Sequence, residues 1–432
     1  MIDTAEVQLW GRTIGVVSML PGRDYAAFEY KREFVPSEIQ ISPLMMPLSA
    51  QIYTFPELPR NTFLGLPGLL ADSLPDKFGN ALINAWLASK GRTSFNAVER
   101  LCYTGSRGMG ALEFSPALGP KQRTGQKLEI DALVQLASEV LTHQDQLTGN
   151  LRDGADKTLR DILRVGTSAG GARAKAVVAW NPATNEIRSG QVKAGSGFEY
   201  WLLKFDGVRG NMDKDLEDPK GFGVIEYAYY LMATACGITM SECRILAENG
   251  RQHFMTRRFD RLPGGGKLHM QSLGALAHLD FNQAGVHSYE EAFLTIRRLN
   301  LSTETVEEQF RRMVFNIVAR NQDDHVKNIA FLMDKEGKWT LAPAFDITYS
   351  YNPTGTWTST HQMTLNGKRD GFVMEDFRQG GNKAIMKHGR AKTIVEEVIS
   401  VVSRWPEFAA QAEVPTKWTE QIRQTHRLKF DG

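Results

Sequence analysis

Residues 321–328 read NQDDHVKN, with the apolar runs MVFNIVAR before them and IAFLMD after. So much polarity between two segments that must be buried constrains the fold more than any other stretch, because each enclosed polar group needs a partner. Asp323 and Asn328 stand in a D-x-x-x-x-N spacing. Taken alone, this reads as a solvated helix-to-strand turn, where Asn and Asp are routine. It is also the spacing that sets a proton-accepting carboxylate and a metal-binding amide on one phosphate in phosphoryl transfer. The sequel IAFLMDKEGKWTLAPAF predicts a β-hairpin with a Lys-Glu-Gly-Lys turn. A hairpin returns the chain to its start, so Asn328 and Asp346 are expected to be neighbours. An acid placed like Asp346, just beyond an apolar strand, suits Mg²⁺. The second acid of the pair, Asp324, reads as a replaceable loop residue, and His325 as a group that ties the loop down or polarises a ligand.

Upstream, WLLKFDG places Lys204 inside an apolar strand. Such a lysine is ordinarily an edge or snorkelling residue, and it is equally what a phosphate-binding lysine on a kinase strand looks like. The FDG that follows has the wrong order for a metal-binding DFG, so Asp206 is expected to start a turn. Glu226, in the next helix, reads by itself as a surface glutamate, with pairing to Lys204 as the alternative. The segment VGTSAGGARAK (165–175) carries glycines 166, 170 and 171, which let backbone N–H groups approach an anion. It matches neither standard phosphate-loop pattern. Its GTSAG also matches G-x-S-x-G, so a serine hydrolase built on Ser168 with His361 or His388 is a rival reading. That elbow requires a following helix, whereas AKAVVAWNPATN reads as strand and turn.

At 432 residues the chain exceeds what one core supports. We expect an N-terminal α+β unit over 1–118, a central unit with the glycine-rich loop and a hinge over 119–265, and an all-helical C-terminal lobe over 266–432. LPGLLADSLPDKFGNALINAWLASKG is expected to form one helix, and the polar stretch 208–221 a loop. The net charge of +2 argues against a large nucleic-acid surface. Cys102, Cys236 and Cys243 are widely spaced and fit buried thiols in a reducing cytoplasm. The acidic N-terminus is unlike a signal peptide, and no run approaches 18 apolar residues, so a cytoplasmic, membrane-free protein is expected.

Taken in order, SAGGARAK, LLKFDG, IEYAYYLMATACGI, RRFDR, RNQDDHVKN and LAPAFDITYS resemble the HipA-like serine/threonine kinases, the toxins of bacterial toxin–antitoxin modules. ISPLMMPL, LLADSLPDKFG and GSRGMGALEF resemble that family's N-terminal part, so the likeness covers most of the chain. The resemblance implies an α+β HipA-like kinase fold that uses ATP and Mg²⁺. It makes Asp323 the catalytic aspartate, Asn328 and Asp346 the Mg²⁺ ligands, and Lys204 the lysine on ATP phosphates. Gly166, Ser168, Ala169, Gly170, Gly171, Ala172 and Lys175 fall in the phosphate loop, with Ser168 or its neighbour Thr167 autophosphorylated to switch the enzyme off. Arg258 and Phe259 lie at the hinge beside adenine, and His325 joins the cofactor-binding set. The chain departs from the family at Arg257, where many members carry glutamate. The implied partners are a HipB-like helix-turn-helix antitoxin, operator DNA mainly through that antitoxin, and a protein substrate such as an aminoacyl-tRNA synthetase. A catalytically silent scaffold or repressor subunit is the remaining alternative.

Overall fold

The computed structural model describes residues 2–89, 91–92, 95–119, 128–142, 173–191, 194–208, 212–213, 216–217 and 221–431. Alternating apolar residues in the first 20 positions form a hairpin, β1 (Thr4–Leu9) and β2 (Arg12–Met19). Its turn falls at Trp10-Gly11, both at positive φ. With β3 (Ala26–Tyr30), β4 (Ile52–Thr54) and β5 (Leu112–Ser115) the hairpin makes an antiparallel sheet ordered β4-β3-β2-β1-β5.

Four helical segments join this unit: α1 (Arg60–Phe63), α2 (Gly68–Ala71), α3 (Lys77–Ser89) and α4 (Ala97–Thr104). The single helix expected over 66–91 is two, α2 and α3. Pro75 has no N–H to donate and disfavours a helical residue before it. Asp76 then restarts the helix as its cap, accepting from Gly79 N at 2.6 Å. Helix α5 (Ile130–Thr142) forms where the amphipathic pattern predicts it.

The central sheet contains β6 (Lys175–Asn181), β7 (Glu186–Ser189), β8 (Glu199–Lys204), β11 (Cys243–Glu248) and β12 (Arg251–Arg257), all antiparallel neighbours in the order β11-β12-β8-β6-β7. Two-residue strands β9 (Met212–Asp213) and β10 (Leu216–Glu217) pair within the polar stretch 208–221. Asn249-Gly250, both at positive φ, turn β11 into β12. Strand alternation then divides this sheet. Trp201, Leu203, Ala176, Val178 and Met255 enter a core shared with Phe78, Leu82 and Leu87 of α3 and with Leu133 and Val134 of α5. Leu202, Lys204, Phe254 and Thr256 face the other way, into a cleft. By packing, α3 therefore serves the central sheet, although it lies inside the first unit of the sequence.

Helix α6 (Phe222–Ala235) ends at Gly237, which sits at a φ of 80°. The rest of the chain carries α7 (Leu273–Ala277), α8 (Tyr289–Arg298), α9 (Thr303–Val318), α10 (Met374–Lys383), α11 (Arg390–Val402), α12 (Trp405–Gln411) and α13 (Thr416–Thr425). It is not purely helical. β13 (His269–Ser272), β14 (Ala330–Met333) and β15 (Trp339–Leu341) form a third sheet. The β14–β15 hairpin was legible as a pattern, whereas β13 pairs with a strand about 60 residues away and leaves no local signal. One hydrophobic cluster runs from the N-terminal sheet through α6 to the C-terminal helices.

The segment RRFDR fastens the N-terminal unit to the rest. Asp260 is fully buried, 2.6 Å from Arg258 Nη2 and 2.7 Å from Arg261 Nη1. It also accepts from Gly110 N at 2.7 Å, while Arg261 donates to the carbonyls of Gly108 and Gly110. Burial opposes the Asp260 charge, but the two guanidiniums and the Gly110 N–H hold its carboxyl far below the usual range. Gly110 has a φ of +74°, and a Cβ there would meet Met270 N at 2.9 Å. Asp260→Ala leaves two buried guanidiniums uncompensated and is expected to cost about 3–5 kcal/mol. The midpoint of guanidinium unfolding measures it; a midpoint equal to wild type would refute the clamp.

Candidate functional site

Strand β8 lies between β12 and β6, so Lys204 sits at the end of an interior strand, not on an edge. Its ammonium is 2.5 Å from Glu226 Oε1 on α6 and 2.5 Å from Asp346 Oδ1 beyond the hairpin. Glu226 is thus no surface residue, its side chain being only 3% exposed. The helical stripe of α6 turns it toward the sheet, where Arg173 also approaches within 4.0 Å. Burial works against the Lys204 charge, yet the two carboxylates raise its pKa above the ordinary lysine value. Burial likewise opposes Asp346, but Lys204, Lys175 and His325 hold it charged. Glu226, wholly enclosed and beside a second carboxylate, is pushed up. Asp346 has a φ of 53°, a left-handed backbone that strains a non-glycine residue.

Residues 321–325 belong to no helix or strand, and 326–328 form a single 3₁₀ turn. From Gln322 onward burial alternates along the loop. Gln322, Asp324 and Val326 are buried, while Asp323, His325 and Lys327 are partly open on the other side. The Asp323 carboxylate lies 4.0 Å from His325 Nε2 and accepts from Trp357 Nε1 at 2.6 Å. Asn328 Nδ2 donates to the Asp323 carbonyl at 2.9 Å, which closes the D-x-x-x-x-N loop on itself. The hairpin brings Ala342 N to Ala330 O at 2.9 Å, so Asn328 and Asp346 flank its open end.

Asp324 is not a replaceable loop residue. It is 3% exposed and takes hydrogen bonds from Tyr289 Oη at 2.6 Å and Gln362 N at 2.7 Å, with His361 Nδ1 also at 2.7 Å. Burial alone would push its carboxyl up, but His361, Tyr289 and Gln362 hold it below the usual range. This network fixes the height of the loop that carries Asp323.

Beneath these charges lies a cleft of about 580 Å³, mouth included. Leu202, Met240, Phe259, Phe345 and Ile347 line it, with Lys204, Glu226 and Asp346 at its polar end. Phe259 packs against Phe345 with ring centres 5.7 Å apart. Arg258 contributes to the wall, but its guanidinium belongs to the Asp260 clamp, and its N–H donates to Tyr200 O at 2.9 Å. Arg257 points to Glu199 and Glu242, at 3.4 and 3.7 Å. Lys175 is a direct cross-strand partner of Lys204, and its ammonium is 3.4 Å from the buried Asp76.

Gly166, Thr167, Ser168, Ala169, Gly170, Gly171 and Ala172 lie outside the described residues, as does most of the polar linker after residue 119. Asp206 organises a turn as expected, accepting from Gly221 N and Gln252 N. Of the rival histidines, His361 is fully buried on Asp324 and His388 is exposed near the end of α10. The three cysteines are free and buried. No helix among the described residues is long and apolar enough to cross a membrane. Sequence reasoning missed Asp76 and Trp357. Trp357, 34 residues from Asp323 in an irregular segment, carries no local signal.

The fold and the cleft define the class first. Over 97% of this chain and 95% of the other, the structure superposes with a TM-score of 0.68 on HipA from the Shewanella oneidensis MR-1 toxin–antitoxin complex with HipB and operator DNA, at 17% identity. The family follows from the sequence. Residues 167–405 match the HipA-like C-terminal domain and residues 5–115 the HipA N-terminal domain, so the chain belongs to the HipA-like family. Y4mE of Sinorhizobium fredii (strain NBRC 101917 / NGR234), a protein named as a kinase, is 27% identical over 125 residues. That match spans 27% of this chain and 30% of Y4mE. The proinflammatory kinase CtkA of Helicobacter pylori aligns over 52% of this chain and 92% of its own at a TM-score of 0.31 with 11% identity, a level that carries no argument.

The Asp324 network yields a test independent of any activity. Asp324→Ala is expected to destabilise the protein by about 3–5 kcal/mol, and Asp324→Asn by less. Because the folded carboxyl titrates below its ordinary range, its stabilisation is full above about pH 5 and is lost as pH falls through the carboxylate range. The melting-temperature gap between wild type and the Ala variant should therefore narrow on acidification. A gap that widens would contradict the network.

Proposed function

We propose that this chain is an ATP- and Mg²⁺-dependent protein serine/threonine kinase and the toxin of a toxin–antitoxin pair, with the three-part layout 1–118, 119–265 and 266–432. The observation that carries this reading is the Lys204 ammonium, set between Glu226 and Asp346 at the polar end of an apolar cleft. An apolar cleft with a cationic end suits a nucleotide. Mg²⁺ is ordinarily held by one or two carboxylates together with substrate phosphates, not by an all-protein cage. Asp346 and Asn328 are the oxygen donors suited to the ion. Lys204 and Lys175 are the cations suited to phosphates, and Phe259 with its apolar neighbours suits the base. Bound Mg²⁺-ATP would supply the phosphoryl group and the neutralising charge that the transfer needs. The protein's share is positioning, with Asp323 accepting the proton of the incoming hydroxyl.

Ser168, or Thr167 beside it, is the proposed autophosphorylation site. A phosphate there adds nearly two negative charges to a loop assigned to ATP phosphates, and repulsion would switch the enzyme off. The proposed setting is the cytoplasm. The proposed partners are a HipB-like helix-turn-helix antitoxin that carries the operator-DNA contact, and a cellular protein substrate of the aminoacyl-tRNA synthetase class. The Shewanella complex, in which HipA stands with HipB and operator DNA, supports the antitoxin.

Asp323→Ala should reduce transfer of labelled phosphate by about 10²–10⁴-fold while leaving Mg²⁺-ATP affinity intact. Asp346→Ala should weaken that affinity about tenfold or more by calorimetry. Retained labelling in the first variant, or unchanged affinity in the second, refutes the assignment. Wild-type protein that binds Mg²⁺-ATP yet labels nothing, itself included, would be the silent scaffold instead.

Mass spectrometry of the purified protein should find phosphate at Ser168 or Thr167. Phosphate confined to other positions would overturn the off-switch.

A further inference from the structure

Asp323 lies on the open side of its loop, with its side chain 21% exposed. An aspartate carboxylate turns easily about its last torsion. A base must instead present one oxygen at hydrogen-bond distance from the hydroxyl it serves, and small misplacements are costly. In this structure the indole of Trp357 grips that carboxylate, with Nε1 2.6 Å from Asp323 Oδ1. That is a charge-assisted contact at the short end of its range. Indole is a donor only, so it can steady a base without competing for the proton.

Trp357 is itself held from behind. The Gln362 side chain donates to the Trp357 carbonyl and to the Gln322 carbonyl, and the Gln362 N–H donates to Asp324 at 2.7 Å. Gly285 N in turn donates to the Gln362 carbonyl at 2.8 Å. One short segment, 357–362, therefore binds both adjacent acids. It takes Asp324 from the buried side through His361 and Gln362, and Asp323 from the open side through Trp357. The carboxylate that must be aimed is fixed against the one that cannot move.

We propose that Trp357 is a positioning residue, which orients the Asp323 carboxylate toward the incoming hydroxyl. The role rests on the kinase reading of Asp323. The opposite reading of the same contact, a plug on the base, predicts the opposite kinetics. Trp357→Phe keeps most of the ring and removes the N–H. Positioning predicts that kcat for phosphate transfer falls about 10- to 100-fold while KM for Mg²⁺-ATP and the melting temperature stay at wild-type values. An unchanged kcat, or a raised one, overturns the proposal.

A second measurement needs no activity. The chain has eight tryptophans, and in a ¹H–¹⁵N spectrum of their indoles the Trp357 resonance should shift markedly in Asp323→Asn. If no indole resonance responds, the contact is absent and the proposal falls. If the resonance moves but wild-type protein transfers no phosphate, the kinase reading fails and takes the role with it, leaving the contact standing.

Discussion

A lysine ammonium shared by two carboxylates holds three separate parts of this molecule in register. Lys204 ends an interior strand of the central sheet, Glu226 comes from the helix that follows it, and Asp346 arrives from beyond a hairpin 142 residues later. None of the three is well solvated. Removing one partner strands a charge away from water, which is far more costly than losing an exposed pair. Sheet, helix and C-terminal lobe must therefore close on one another for any of these groups to be tolerated. The left-handed backbone at Asp346 fits the same account, since the surrounding contacts hold a conformation that an aspartate would not choose alone.

A two-residue period sorts both halves of the site. On β8 it sends Trp201 and Leu203 into the core and Leu202 and Lys204 into the cleft. Along the loop from 322 to 327 burial alternates likewise, with Asp324 inward and Asp323 on the open side. Two carboxylates one residue apart thereby receive opposite tasks. The inward one exchanges water for His361, Tyr289 and Gln362, and so anchors the loop. The outward one stays partly open to solvent.

Local pattern accounts for what could be foreseen. Apolar alternation marked β6, β8 and the β14–β15 hairpin, and the hairpin alone implied that Asn328 and Asp346 flank one opening. Apolar residues at 225, 228, 231, 232 and 235 form the 3.6-residue stripe that marks α6, and Gly237 stops it. What stayed hidden was settled by distant partners. Glu226 read by itself as a surface acid, with Lys204 only the alternative partner, because that cation lies 22 residues back on another element. Asp324 looked dispensable because its ring partners Tyr289 and His361 lie 35 and 37 residues away. Asp76 sat inside a stretch read as helix interior, where its role as a cap and counter-ion was invisible until Pro75 was seen to break the helix.

Asp76 also alters how the N-terminal unit relates to the cleft. Lys175 and Lys204 are cross-strand partners, so their side chains leave the sheet on the same face. Like charges so placed destabilise a sheet. Glu226 and Asp346 serve Lys204, but the carboxylate at Lys175 is Asp76, carried at the start of α3. Phe78, Leu82 and Leu87 of that helix belong to the core beneath the same strands. From the same unit, Met109 lines the cleft and Gly110 closes the Asp260 clamp. The cationic floor therefore needs the N-terminal unit for its charge balance and its packing. Without the N-terminal unit Lys175 would stand beside Lys204 lacking its Asp76 counter-ion, and the core beneath these strands would lose α3.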